Sequence, residues 1–388
     1  MKRFSEHYRW WLRRHQAQEA CRTRWSRKVQ KFKRKKKFMT ASAIEEWHTS
    51  YRRGRLERVT ISGEKQDVPE ILNLEINYEE TADFLRRLRI GLRRKDGRRD
   101  HTPSRRTKKI GGYWDFARIK QISTEVALII ASEYESAQSF VRHWSPSAID
   151  IHTWDRGVFN LLYNIGFFEL ANVDLKNSEL VIESKNFKIL KLVGGKLSDG
   201  DVIYNLFEKL CSPKELGFGD DVLLNINSAM MEAVLNSVEH AYKENNSLSK
   251  YQHRWWITGA LDFSKRLLKF VVFDRGKTIP VTLNTWDRYP AVQRVFRFLG
   301  QEAPDPKDSS RDGTAIAAAM AVGKTSTKLP NRGKGLAQIE SVTQFCQESK
   351  IRIYSRCGSY EKTTRRKATH VNRNTAIGGT LTVWDVRF

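Results

Sequence analysis

Apolar positions recur along the chain with two periods, and each change of period marks a new element. Over residues 228–242, Met231, Val234, Leu235 and Val238 fall at three- and four-residue steps, which predicts a helix. Residues 254–263 and 267–274 are apolar runs either side of a short Ser-Lys-Arg turn, the pattern of a β-hairpin. Helical periods also run through 123–140, 159–165, 201–210 and the Ala-rich 314–322, and another helix is predicted from Gly335 to about Cys346. Short strands are predicted at 148–152, 167–173, 179–192, 351–355 and 380–386. Further upstream, apolar Val68, Ile71, Leu72, Leu74 and Ile76 precede a helix-like FLRRLRIGLRRK stretch.

Punctuation divides this pattern. Residues 93–112 are basic and carry Gly97, Pro103, Gly111 and Gly112, so a linker and a boundary near 112 are expected. Mixed short strands and helices over 113–212 predict a small α/β domain. Residues 213–388 form the third unit, whose 305–334 stretch is a polar, lid-length insertion around the Ala-rich helix.

Composition adds one asymmetry. With 388 residues and 40% hydrophobic content the chain can bury a large core, and its formal net charge is +25. Residues 1–110 hold 32 Lys and Arg against 14 Asp and Glu, with Tyr8, Trp10, Trp11, Trp25 and Phe32 interleaved. Clustered cations with aromatics among them suit a phosphate backbone and its bases; a basic helix docked on an acidic protein surface, or plain solubilising charge, reads equally from the same residues. No apolar run approaches the roughly 20 residues of a membrane span, and the N-terminus lacks the apolar core of a secretory signal, so a cytoplasmic protein without a membrane partner is expected. Cys21, Cys211, Cys346 and Cys357 show no CxxC spacing and predict neither a zinc site nor a disulfide framework.

Candidate chemistry concentrates after residue 213. In the 228–242 helix, Glu232, Asn236 and His240 lie at i, i+4 and i+8, so one face can offer a carboxylate, a carboxamide and an imidazole; a solvated polar stripe has the same pattern. The second hairpin strand runs into Asp274-Arg275-Gly276-Lys277-Thr278-Ile279-Pro280, a carboxylate at a strand end followed by a glycine and a stiffening proline, although a strand-end Asp also serves as a turn former. Gly323-Lys324-Thr325 invites a P-loop reading, but Ala318 stands where the first glycine belongs and no strand precedes it. Asn331-Arg332-Gly333-Lys334-Gly335-Leu336 opens the following helix with two glycines and free amides, the makings of an anion site.

In this order the motifs resemble the ATP-binding domain of the GHKL superfamily, shared by gyrase B, MutL, sensor histidine kinases and anti-sigma serine kinases. The E-x-x-x-N helix, the D-x-G strand end with Ile-Pro after it, the glycine pair opening a later helix and the final Gly-Thr strand cover about residues 218–388. The compact helix motif is closest in style to anti-sigma kinases, and the layout of 113–212 resembles the STAS-like domains of partner-switching proteins. The implied fold is α/β: a C-terminal GHKL (Bergerat) α/β sandwich preceded by a small α/β domain and a basic, mainly helical N-terminal region.

By that resemblance Glu232 would be the general base and Asn236 would ligate the magnesium that bridges the phosphates. Asp274 would accept a hydrogen bond from the adenine amine, Gly276 would let the ring approach, and Thr278 and Thr380 would line the base. Lys324, Thr325, Arg332, Gly333, Lys334, Gly335 and Leu336 would close over the phosphates. The chain departs from the family pattern at Thr278, where a second glycine is usual, and at either Asn331 or Ala337 in the G-x-G-x-G lid motif. The implied cofactors are ATP and magnesium. The implied activity is ATP hydrolysis, with serine/threonine kinase activity as the alternative. Expected partners are a regulatory protein, nucleic acid or an acidic protein through residues 1–110, and a second copy of the chain in a homodimer.

Overall fold

The computed structural model describes residues 15–16, 48–52, 55–61, 65–93, 109–110, 113–140, 148–171, 173, 175, 186–198, 200–210, 216–242, 255–298, 300–324, 335–346 and 348–388. It is an α/β protein built on one large antiparallel sheet. An antiparallel pair of β1 (His48–Arg52) and β2 (Arg55–Ile61) leads to the helices α1 (Tyr78–Arg93), α2 (Thr124–Phe140) and α3 (Arg156–Asn164). Strands β3 (Phe187–Ile189) and β4 (Val193–Gly195) follow, then the helices α4 (Gly200–Leu210) and α5 (Asp220–Asn236). The hairpin β5 (Trp255–Asp262) and β6 (Leu267–Asp274) precedes α6 (Tyr289–Phe298), α7 (Asp312–Lys324) and α8 (Gly335–Phe345). The chain closes with β7 (Ser349–Ser355), β8 (Gly358–Thr363), β9 (Thr369–Asn372) and β10 (Thr380–Arg387).

The sheet runs β4-β5-β6-β10-β7-β8-β9, with β3 also on β5. Its last strand in sequence therefore lies in the middle. That placement aligns Asp274 with Thr380, and Thr380 with Ser355, in one row at the end of the sheet.

Alternation sorts the strand residues onto two faces. Val272, Ile353 and Trp384 pack with Leu206 of α4, Met230 and Val234 of α5, Met320 of α7 and Ile339 of α8. Val271, Phe273, Tyr354, Leu381 and Val383 point the other way, into a core shared with α1, α2 and α3. The sheet is thus a central layer between two helical ones. Helix α2 is buried almost all round, from Val126 to Ala131 at 0%, which suits its nearly continuous apolar sequence.

Several expectations change here. The predicted strand over 167–173 is a short helix, Phe167–Leu170, because Phe167 and Phe168 are both buried, the first against Tyr134 and the second against Phe159. Neighbouring residues of a strand would face opposite sides. The predicted strand over 179–192 survives as β3, and residues 176–185 lie outside the described residues. Because β3 and β4 hydrogen-bond to β5, they extend the large sheet instead of forming one within 113–212. In the basic N-terminal region, residues 48–52 and 55–61 are paired antiparallel strands where mainly helix was expected, and the Lys-rich run at 31–37 lies outside the described residues. No helix among the described residues is long and apolar enough to cross a membrane.

Candidate functional site

Helix α5 buries Ile226, Met230, Ala233 and Val234, which leaves Glu232 and Asn236, one turn apart, at the rim of that face. Gly335, the first residue of α8, meets them there. A Cβ at Gly335 would stand 2.8 Å from Glu232 Oε2 and 3.7 Å from the Asn236 carboxamide, so any larger residue there would displace the Glu232 carboxylate. The start of α8 thus lies against a carboxylate and a carboxamide. Burial raises the Glu232 carboxyl above its ordinary value, and Glu239 adds to the shift. A carboxylate whose pKa is raised is a stronger base than a free one.

Past Asn236 the helix widens into a π turn, Ser237–Ala241. The extra residue in the turn brings two groups to the end of β6. Ser237 Oγ donates to Asp274 Oδ2 at 3.2 Å, and the Ala241 carbonyl accepts from the Lys277 amide at 2.7 Å. It also turns His240 into solvent, its side chain 51% exposed and 4.0 Å from Glu239, so the expected stripe stops at Asn236.

Asp274 is 5% exposed, and its other oxygen accepts from the Gly276 amide at 2.9 Å. Burial pushes its carboxyl up to about 7, against the smaller opposing effects of the Gly276 amide and the Ser237 hydroxyl. Beside it, Thr380 Oγ1 and Ser355 Oγ lie 2.9 Å apart, and Ser355 Oγ accepts from the Ile279 amide at 3.0 Å. Thr278 is buried, and its Oγ1 has no hydrogen-bond partner among the described residues. A buried carboxyl without a cation among the described residues, a hydroxyl pair and a hydroxyl without a partner there are groups that an incoming polar ligand could satisfy.

Gly276 plays a different part from the one expected. A Cβ there would lie 2.4 Å from Ala241 Cβ and 2.5 Å from Ala241 O, so this glycine lets the exit of β6 pack on the π turn, and that space is not open to a ring. Leu336 is a packing residue that joins the core under α5 to the one under α6 and α7. Gly323 and Lys324 close α7, whereas Thr325, Arg332, Gly333 and Lys334 lie outside the described residues. Glu232, Asn236 and Gly335 therefore meet at one end of α5, and Asp274, Thr278 and Thr380 gather around the end of β6.

The sequence reading missed Ser237, Ala241 and Ser355. Ser237 directly follows the motif asparagine, and Ser355 ends a predicted strand, but neither carries a signal until the π turn and the central position of β10 bring them to Asp274. No protein-family model matches the chain, and no curated protein matches it.

Proposed function

We propose that the chain is an ATP-binding regulator with a GHKL-type sandwich, in which hydrolysis or closure of the lid-length insertion switches contacts made by the preceding segments. The observation that carries this reading is the meeting of Gly335 with Glu232 and Asn236, which joins two motifs far apart in sequence at one point. The Thr278 hydroxyl and the Asp274 carboxyl, which among the described residues lack a hydrogen-bond partner and a cation respectively, support a ligand at the neighbouring end of β6.

The residues fit a magnesium nucleotide. Among the described residues no cluster of three His, Cys, Asp or Glu side chains could hold a metal, so a cation at the Asn236 carboxamide would take its remaining ligands from phosphate and water. When bound, the cation would neutralise charge on the phosphates. Asp274, once ionised, accepts a hydrogen bond from an exocyclic amine, and Thr380 offers its hydroxyl beside it. Glu232 accepts the proton of the attacking hydroxyl, which belongs to water in an ATPase and to a serine or threonine in a protein kinase. The amides at the start of α8 favour negative charge next to that proton transfer.

Replacing Glu232 by Gln keeps the volume and removes the base. ATP affinity is expected to hold within about threefold while phosphate release falls by about 100-fold or more. Equal turnover in the wild type and the variant would remove Glu232 from the role. The charge of residues 1–110 favours a second reading, a nucleic-acid-binding factor whose pocket senses nucleotide. Under that reading, binding to nucleic acid falls steeply with salt and is lost when residues 1–40 are deleted; no binding at low salt would reject it.

A further inference from the structure

Asp274 and Arg275 are consecutive, so the end of β6 sends the carboxylate toward α5 and the guanidinium toward α2 on the opposite face. There Arg275 Nη1 stands 3.2 Å from Glu133 Oε2. The other oxygen of Glu133 takes Arg89 Nε, from α1, at 2.6 Å. Glu133 is 2% exposed, and the side chains of Arg275 and Arg89 are 11% and 15% exposed. One buried carboxylate thus bridges two guanidiniums through a charge-assisted contact on each oxygen.

Arg89 extends the connection. Its Nη2 donates to the Ile377 carbonyl at 2.8 Å, and a Cβ on the next residue, Gly378, would lie 1.3 Å from Nη1. Gly378 has φ +80, a conformation that glycine adopts without strain. Residues 377–379 are the strap that delivers Thr380 to the sheet. Glu133 therefore grips, from behind, both backbone segments that end in residues of the candidate site: β6 with Asp274 and the strap with Thr380.

We propose that Glu133 is a positioning residue for the nucleotide site, holding the end of β6 and the 377–379 strap at a fixed separation through Arg275 and Arg89. The identity of the ligand rests on the function proposed above; the mechanical link does not. Local reporters exist on both sides. The amides of Arg275, Gly276 and Lys277 donate to Tyr242 Oη, Asp274 Oδ1 and Ala241 O, and the amide of Ile377 donates to Arg356 O.

The test is hydrogen exchange on the full chain, paired with ATP titration, for the wild type, Glu133→Gln and Arg275→Gln. Glu133→Gln is expected to speed exchange about tenfold at both the 275–277 and the 377 amides, leave the β8–β9 hairpin unchanged, and weaken ATP binding about tenfold. Arg275→Gln leaves the Glu133–Arg89 contact in place, so it is expected to loosen 275–277 alone; this variant decides the matter if Glu133→Gln does not fold. Exchange that rises everywhere, or at neither segment, would overturn the proposal, as would loosening of both segments by Arg275→Gln. A wild type that binds no ATP would reject the nucleotide reading, and the exchange result would still decide the role of Glu133.

Discussion

Two buried carboxylates on opposite faces of one sheet have their acidities shifted in opposite directions. On the α2 face, Glu125 is 0% exposed; burial opposes its ionised form, but Lys269 and Arg352 outweigh burial and bring its carboxyl down to about 2. Lys269 Nζ also reaches Asp385 at 3.2 Å, and Arg352 pairs with Asp385 and Glu75. On the α5 face, Asp274 is almost as deeply buried, but among the described residues a hydroxyl and an amide are what bond to it, and its carboxyl rises to about 7. Burial is common to both, so the difference is the cation. The face where cations sit among the carboxylates is a structural joint between helix and sheet, although Glu125 Oε1, Arg352 Nε and Nη1 and Asp385 Oδ1 lack a hydrogen-bond partner among the described residues. The face where Asp274 has no cation among the described residues is the one a ligand could complete.

Removing the joint should have the largest effect. Arg352→Met leaves Glu125, Glu75 and Asp385 with Lys269 and Lys350 alone, and a loss of roughly 3–5 kcal/mol is expected in denaturant unfolding. The folded pKa of Glu125 lies below its ordinary 4.5, so its contribution is present above about pH 4.5 and lost as pH falls toward 2. The variant should show a weaker acid dependence in that window.

Asp274→Asn should act in the opposite direction. The carboxyl of Asp274 binds its proton more tightly in the folded protein, with a pKa of about 7 against 3.8, so stability falls as pH rises between those values. Asparagine carries no charge to bury. Its amide can donate to Ser237 Oγ, which also donates to the Ala233 carbonyl at 3.0 Å. A gain of about 1–3 kcal/mol is expected at pH 8 and almost none at pH 4, read from thermal unfolding at the two values. A stability gain that accompanies lost binding would mark Asp274 as a ligand residue and not a structural one.

The smallest effect on stability is expected at Gly335→Ala. Its Cβ would press on Glu232 Oε2, the far end of a side chain that can rotate away, so unfolding should change by about 1 kcal/mol or less. Turnover should nevertheless fall about tenfold or more, because the displaced group is the proposed base.

Much of this arrangement was legible in the sequence. The α5 and α8 helices and the β5–β6 hairpin follow from local period, and of the candidate residues Glu232, Asn236 and Gly335 are brought together while Asp274 ends β6. The π turn was not legible, because five residues cannot separate its period from that of an α-helix, and the error fell on His240 and Ser237. Glu125, Glu133 and Arg352 gave no signal, since nothing local announces that their partners come from distant helices and strands. The role of Gly276 was missed for the same reason: its neighbour, Ala241, is brought there by the turn.

The most direct test of the central claim is magnesium-dependent ATP binding by calorimetry, on the wild type and Asp274→Asn between pH 6 and 8. Wild-type affinity is expected to strengthen as pH rises through about 7, as Asp274 becomes ionised, and Asp274→Asn is expected to bind at least about 30-fold more weakly throughout. No binding by the wild type, or equal binding by the two proteins, would contradict the account.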